Sequence, residues 1–154
     1  MVTVSSGQTY TVPAGQTDTG DVVLDGGILD VLAGGTISNT IVNGGTNINT
    51  APSSGIDNVF GKAIDTTVIA GAAEYVYGAT IGTTLSGVQY GQAHQYVLSG
   101  GVVISTFVGN ISDQLINPGG TAVDTQVNGY AAQQTDEGIA VSTTVSSEIG
   151  RAHV

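Results

Sequence analysis

The sequence predicts an all-β solenoid, a parallel β-helix of about 20 residues per rung, and three features of the chain carry that expectation. A five-residue box, apolar-x-Thr-x-apolar, recurs at a near-constant interval. Apolar residues alternate with period two rather than 3.6, the signature of half-buried strands. Small-residue turns interrupt the chain about every ten residues, which leaves no room for a helix.

The clear copies of the box are Ile64-Asp65-Thr66-Thr67-Val68, Ile81-Gly82-Thr83-Thr84-Leu85, Ile104-Ser105-Thr106-Phe107-Val108, Val123-Asp124-Thr125-Gln126-Val127 and Val141-Ser142-Thr143-Thr144-Val145. Weaker copies lie upstream. Ser38-Asn39-Thr40-Ile41-Val42 keeps the Thr, Gly20-Asp21-Val22-Val23-Leu24 loses it, and the run opens at Val2-Thr3-Val4. The closing apolar residues are Val4, Leu24, Val42, Val68, Leu85, Val108, Val127 and Val145, spaced by 20, 18, 26, 17, 23, 19 and 18 residues. Each box is expected to be one short strand, followed by a turn such as Asp25-Gly26-Gly27, Asn43-Gly44-Gly45 or Asn128-Gly129, where Gly supplies the positive φ of a tight reversal.

A second apolar stretch follows in each unit: Tyr10-Thr11-Val12, Leu29-Asp30-Val31, Asn58-Val59-Phe60, Tyr75-Val76-Tyr77, Gln95-Tyr96-Val97-Leu98 and Gln114-Leu115-Ile116. It ends on another small-residue turn, as at Gly34-Gly35 and Pro118-Gly119-Gly120. The predicted unit is therefore strand, turn, strand, turn. Strands of about five residues bury one face only by stacking on the next unit. A sandwich of hairpins would use the same strands, but it gives no reason for one box to recur with Thr in one register. Residues 1–147 then form one repeat array. The two long intervals predict outward loops near residues 49–55, all turn-formers, and near residues 88–95, which are polar and aromatic.

Composition narrows the function. The 154 residues include 24 Gly, 20 Thr, no Cys and no Trp, and only 9 % are charged. The net charge is −10, from 12 acids against Lys62 and Arg151. Two cations cannot neutralise a phosphate backbone or an anionic leaflet, so nucleic acid and membrane surfaces are excluded as partners. Hydrophobic residues at 40 % and a positive mean hydropathy of +0.23 argue for a folded chain. The absence of Cys removes disulfide, zinc-thiolate and thiol-nucleophile chemistry together. The start, Met1 to Ser6, has neither a basic stretch nor an apolar signal core.

The Thr column, Thr40, Thr66, Thr83, Thr106, Thr125 and Thr143, sits between apolar neighbours at i±2 and shares their inward face. Its expected role is structural, the hydroxyls bonding to adjacent rungs or to backbone carbonyls at a corner. An ice-templating array would need Thr on the outward face, where residues are mixed. The scattered acids read as a solvated face, since no Gly-Gly pair continues into the nine-residue calcium-roll repeat. A β-helical polysaccharide enzyme would need clustered carboxylates, a base and cations. Outside the last seven residues there is one Lys, no Arg and only His94, read as a surface residue in a polar loop. No enzyme activity, small-molecule substrate, metal or cofactor is expected.

The run Val23-Leu24-Asp25-Gly26-Gly27-Ile28-Leu29-Asp30-Val31-Leu32-Ala33-Gly34-Gly35-Thr36-Ile37-Ser38-Asn39-Thr40-Ile41-Val42 resembles the strand-loop-strand repeat of autotransporter passengers of the diffuse-adherence adhesin (AIDA) type. Similar, more degenerate text covers nearly all of residues 2–147. The resemblance implies a right-handed β-helical stalk on the outside of a Gram-negative cell, serving adhesion or surface display towards a receptor or glycan on host or sister cells. It also implies heptose on Ser and Thr of the loops, hence a glycosyltransferase partner. By position in turns the candidates are Ser5, Ser6, Ser53, Ser54, Ser99, Ser146 and Ser147. The family carries an N-terminal signal and a C-terminal translocator barrel, neither of which is in this text. A repeat array ahead of a Hedgehog/intein-like self-processing domain is the alternative, on the opening Val4-Ser5-Ser6-Gly7-Gln8-Thr9.

After Ser147 the pattern stops. The tail Glu148-Ile149-Gly150-Arg151-Ala152-His153-Val154, back-translated as GAG ATC GGA AGA GCA CAC GTC, matches a common sequencing-library adapter read in frame. Residues 148–154 are therefore expected to be foreign, with the natural coding sequence cut near Ser147 and a downstream domain missing.

Overall fold

A computed structural model describes residues 1–45 and 54–146 in full and the backbone of residues 151–153. It is an all-β solenoid of about 7 turns of roughly 19 residues. Three parallel sheets run its length, with eight, eight and seven strands, and the described residues contain no helix. One rung runs Thr67–Ile69 in sheet A, Ala73–Val76 in sheet B and Ala79–Ile81 in sheet C. The next repeats it as Thr84–Ser86, Ala93–Val97 and Val102–Ile104, each strand pairing in parallel with its equivalent.

Three strands per rung replace the two that the sequence predicts, because the Thr box is a corner and not a strand. Its first residue ends a sheet C strand and its fourth begins a sheet A strand. Its second residue takes positive φ: Asn39 at 52°, Asp65 at 53°, Gly82 at 76°, Ser105 at 58°, Asp124 at 56° and Ser142 at 59°. One left-handed residue turns the chain, and Gly, Asn and Asp adopt that conformation most readily. The corner keeps its backbone paired. The Asp65 amide donates to the Ile81 carbonyl at 2.8 Å, and the Thr66 carbonyl accepts from the Thr84 amide at 2.8 Å, so the ladder continues through the bend.

Register also moves one boundary. Val23 pairs with Val4 and with Val42, so the second box is Thr19-Gly20-Asp21-Val22-Val23, and Leu24 lies outside the column. Asp21 therefore occupies the Thr position. The predicted loop at 88–95 is shorter than expected, since Ala93 to Gln95 belong to a strand, and Val88 pairs antiparallel with Gly91 across its tip. Of the loop near 49–55, only Ser54 and Gly55 fall among the described residues.

The core is a stack of columns. Val4, Val23, Val42, Val68, Leu85, Val108 and Val127 line sheet A, and Val12, Val31, Val59, Val76, Val97 and Ile116 line sheet B, all at most 1 % exposed. Rungs stack about 4.8 Å apart, so each side chain meets its equivalent directly above and below. That spacing also brings corner backbones into contact. A Cβ on Gly78 would strike the carbonyl oxygens of Gly61 and Phe60 in the preceding rung. Gly15 has φ +79° but open space around it.

Gly78→Ala should therefore lower unfolding stability by about 1–3 kcal/mol through overpacking against rigid backbone. Gly15→Ala should cost about 1–2 kcal/mol, from left-handed backbone alone. Urea unfolding of the two variants checks the ranking.

Candidate functional site

The expected Thr column lies inside the solenoid: Thr40, Thr66, Thr83, Thr106 and Thr125 are at most 1 % exposed, and Thr143 is half-buried. Its hydroxyls do not bond to neighbouring rungs or to backbone carbonyls as expected. Four of the six reach across the interior to a side chain of the sheet B strand in their own rung, while those of Thr40 and Thr66 have no partner. Thr83 donates to Glu74 Oε2 at 3.2 Å, Thr106 to Gln95 Oε1 at 3.3 Å, Thr125 to Gln114 Oε1 at 3.1 Å and Thr143 to Gln134 Oε1 at 2.8 Å.

The acceptors form a second column, which the sequence reading missed. Asp57, Glu74, Gln95, Gln114 and Gln134 occupy one register position on successive strands, and all are buried. Side-chain amides donate along it: Gln134 Nε2 to Gln114 Oε1 at 2.7 Å, Gln114 Nε2 to Gln95 Oε1 at 2.7 Å and, at the end, Gln95 Nε2 to the carboxyl Oε2 of Glu74 at 2.6 Å. Every bond runs towards the N-terminal end. A signal existed in the sequence: Asp57, Glu74, Gln95 and Gln114 each stand two before an inward apolar residue, as in Gln95-Tyr96-Val97, and Gln134 stands two after buried Ala132, the same period-two argument that places Thr inside.

The column changes character at its N-terminal end. Above Asp57 the equivalent residue is Leu29, which leaves the Thr40 hydroxyl without an acceptor. Asp57 is one methylene shorter than Gln or Glu, and neither of its oxygens has a partner; nor does Thr66 Oγ1 or Glu74 Oε1. Burial pushes the Glu74 carboxyl from its ordinary 4.5 up to about 7, against hydrogen bonds from Gln95 and Thr83 and the nearby Thr66 hydroxyl, which pull it down. Burial pushes Asp57 well above the usual carboxylate range, reinforced by the charges of Glu74, Asp30 and Asp21.

The outer face carries ladders of its own. Tyr75 stacks on Tyr96 with ring centroids 4.9 Å apart, Phe60 on Tyr77 at 4.5 Å and His94 on Tyr96 at 5.7 Å. In near-parallel pairs the ring faces cover one another. His94 belongs to the strand Ala93–Val97, not to the polar loop where the sequence reading placed it, and it is half-buried in register with Asp113. Burial lowers the His94 imidazole and raises the Asp113 carboxyl, each partly offset by the other's charge. Among the described residues no group of three His, Cys, Asp or Glu is placed to hold a metal ion.

The serine candidates fall mostly on the surface. Ser5, Ser6, Ser99 and Ser146 are exposed and Ser54 is half-buried, while Ser53 and Ser147 lie outside the described residues.

No protein-family model matches this chain, and no protein of curated function matches its sequence. Among solved structures, the crystal structure of a TibC-catalysed, hyperglycosylated TibA fragment matches 99 % of this chain with a TM-score of 0.80 and 24 % sequence identity. The chain spans 53 % of that fragment, about half its length. The likeness is one of fold, a β-solenoid of stacked parallel sheets.

The interior column predicts a specific weakness. Gln114→Leu is close in volume but strands two partners, the Thr125 hydroxyl and the Gln134 amide N–H2, and leaves the Gln95 carbonyl with only its Thr106 donor. Each unsatisfied buried group costs about 1–3 kcal/mol, so the variant should lose about 3 kcal/mol or more in urea unfolding. Gln126→Leu, on the exposed face, should change stability by less than about 0.5 kcal/mol.

Proposed function

We propose that this chain is a length of the stalk of a secreted, autotransporter-type passenger, displayed at the cell surface of a Gram-negative bacterium and used in adhesion. The observation that carries the reading is the fold match to the TibA fragment over 99 % of the chain, together with the strand-loop-strand repeat across residues 2–147. The mechanism is geometric. Parallel ladders in three sheets make a stiff rod, and even with Asp21, Asp57 and Glu74 buried the remaining acids outnumber the two cations and keep it soluble.

The reading is non-enzymatic. The two most perturbed carboxyls, Asp57 and Glu74, are fully buried and out of reach of any substrate. His94 and Asp113 sit in an outward sheet face, without a nucleophile beside them in register. The partners that follow are a receptor or glycan on another cell and a glycosyltransferase of the TibC kind, acting on the exposed Ser5, Ser6, Ser99 and Ser146. The foreign origin of residues 148–154 belongs to the same reading.

The test is display. The chain, fused between a secretion signal and an outer-membrane barrel and co-expressed with TibC, should reach the surface, gain mass in sugar increments and raise cell–cell or cell–matrix adherence above the barrel alone. Changing Ser5, Ser6, Ser99 and Ser146 together to Ala should remove part of the added mass. Unmodified chain on cells no more adherent than the barrel control would contradict the proposal.

A further inference from the structure

The amide column has a direction, and that direction ends on two acids. From Gln134 to Gln114 to Gln95 to Glu74, each side-chain nitrogen donates to the residue one rung earlier. Continuing the series requires Glu74 to donate to Asp57, its register partner in the preceding rung. A carboxylate has no proton to donate, whereas a carboxylic acid has one. Glu74 uses Oε2 to accept from Gln95 and Thr83, and Oε1 is the oxygen left over. Asp57 offers two buried oxygens that receive nothing.

We propose that Asp57 and Glu74 form a protonated acid cap on the amide ladder, with the Glu74 Oε1 proton directed at Asp57, so that the solenoid takes up protons from solvent as it folds and weakens as they leave.

Every element around the pair supports uptake over charge neutralisation. Sheet A presents Val42, Val68 and Leu85 to the interior, and sheet C presents Ala63 and Thr80. The corners present Thr40, Thr66 and Thr83, which carry no charge, and Leu29 closes the column above. The charged groups nearest Asp57 are acids, Glu74, Asp30 and Asp21, and they oppose ionisation. Lys62 is exposed on the outward face of sheet C. No third acid, His or Cys is grouped with the pair among the described residues, so a divalent cation finds two carboxylates where it needs a fuller oxygen shell. An ionised pair here would be two adjacent negative charges in a dry interior, an arrangement that proteins avoid by protonation. Burial raising both carboxyls agrees with this, and the protons belong to the pair rather than to either acid.

The sign follows from linkage. An acid held protonated in the folded chain and ionised in the unfolded one makes stability fall as pH rises above its unfolded value of 4.5 for Glu74, until its folded value of about 7 is passed. Each such proton multiplies the unfolding constant by about ten per pH unit in that window. Asp113, also raised, tilts the profile the same way, so the readout is the difference between variants.

The experiment is urea unfolding of the full chain between about pH 5 and 8, for wild type, Glu74→Gln and Asp57→Asn with Glu74→Gln. Gln at 74 supplies a permanent donor. It should remove about one proton from the pH slope and make the chain more stable than wild type at the alkaline end, and the double variant should remove the rest of the pair's slope. Glu137→Gln, on an exposed acid, should leave the slope unchanged. Independently of any variant, the infrared spectrum of wild type near neutral pH should show the carbonyl stretch of buried, protonated carboxylic acid. A Glu74→Gln slope equal to wild type, absence of that band, or stabilisation of wild type by added calcium that Glu74→Gln abolishes would overturn the proposal.

Discussion

In-register parallel stacking is the constraint on which the rest of this molecule depends. Because each strand pairs with its equivalent one rung away, every inward side chain has two fixed neighbours, the same position above and below. A column must then be self-compatible. Valine on valine meets that condition through packing, as from Val4 to Val127. An amide meets it through chemistry, because its N–H2 and carbonyl satisfy the next copy of themselves, as in Gln95, Gln114 and Gln134. The same rule operates outside, where Tyr75 lies on Tyr96 and Phe60 on Tyr77.

The corner threonines are tied to the same constraint. A single left-handed residue turns the chain from sheet C to sheet A and aims the following Thr at the sheet B column of its own rung. The hydroxyl fills the lone pair that the amide ladder leaves open, so Thr and Gln are coupled choices. Where the sheet B residue is too short, as at Asp57, or apolar, as at Leu29, the facing hydroxyls of Thr66 and Thr40 lose their acceptor. The polar interior is thus well satisfied towards its C-terminal half and strained around Asp57 and Glu74. A half-satisfied network is the expensive part of such a core.

Much of this was legible in the text and some was not, for identifiable reasons. The solenoid followed from the box interval, because spacing near 20 with period-two alternation has few other outcomes. The inward position of Thr66 or Thr106 followed from its apolar neighbours at i±2. The number of strands did not, since Asp65 or Ser105 reads as an ordinary outward strand residue until its φ is known. The sequence places the second box one residue late because Leu24 is apolar and nothing but pairing distinguishes Val23 from it. The Gln column was passed over because Gln reads as a surface residue, and only stacking turns a buried amide from a cost into a ladder. The acid pair was hidden for the same reason, Asp57 and Glu74 looking like two of 12 solubilising acids. For His94, neighbouring Gln92 and Gln95 suggested a loop, but Gln95 faces inward.

The central claim is that interior amides are locked to one another by register. Side-chain amide hydrogen exchange, followed by nitrogen-edited nuclear magnetic resonance on the folded chain, tests it most directly. The N–H2 groups of Gln95 and Gln114 should exchange only on global or sub-global opening, slower by orders of magnitude than those of exposed Gln89 and Gln126. Equal and rapid exchange at all four would contradict the account, because amides that meet solvent freely cannot be the ladder that holds these rungs in register.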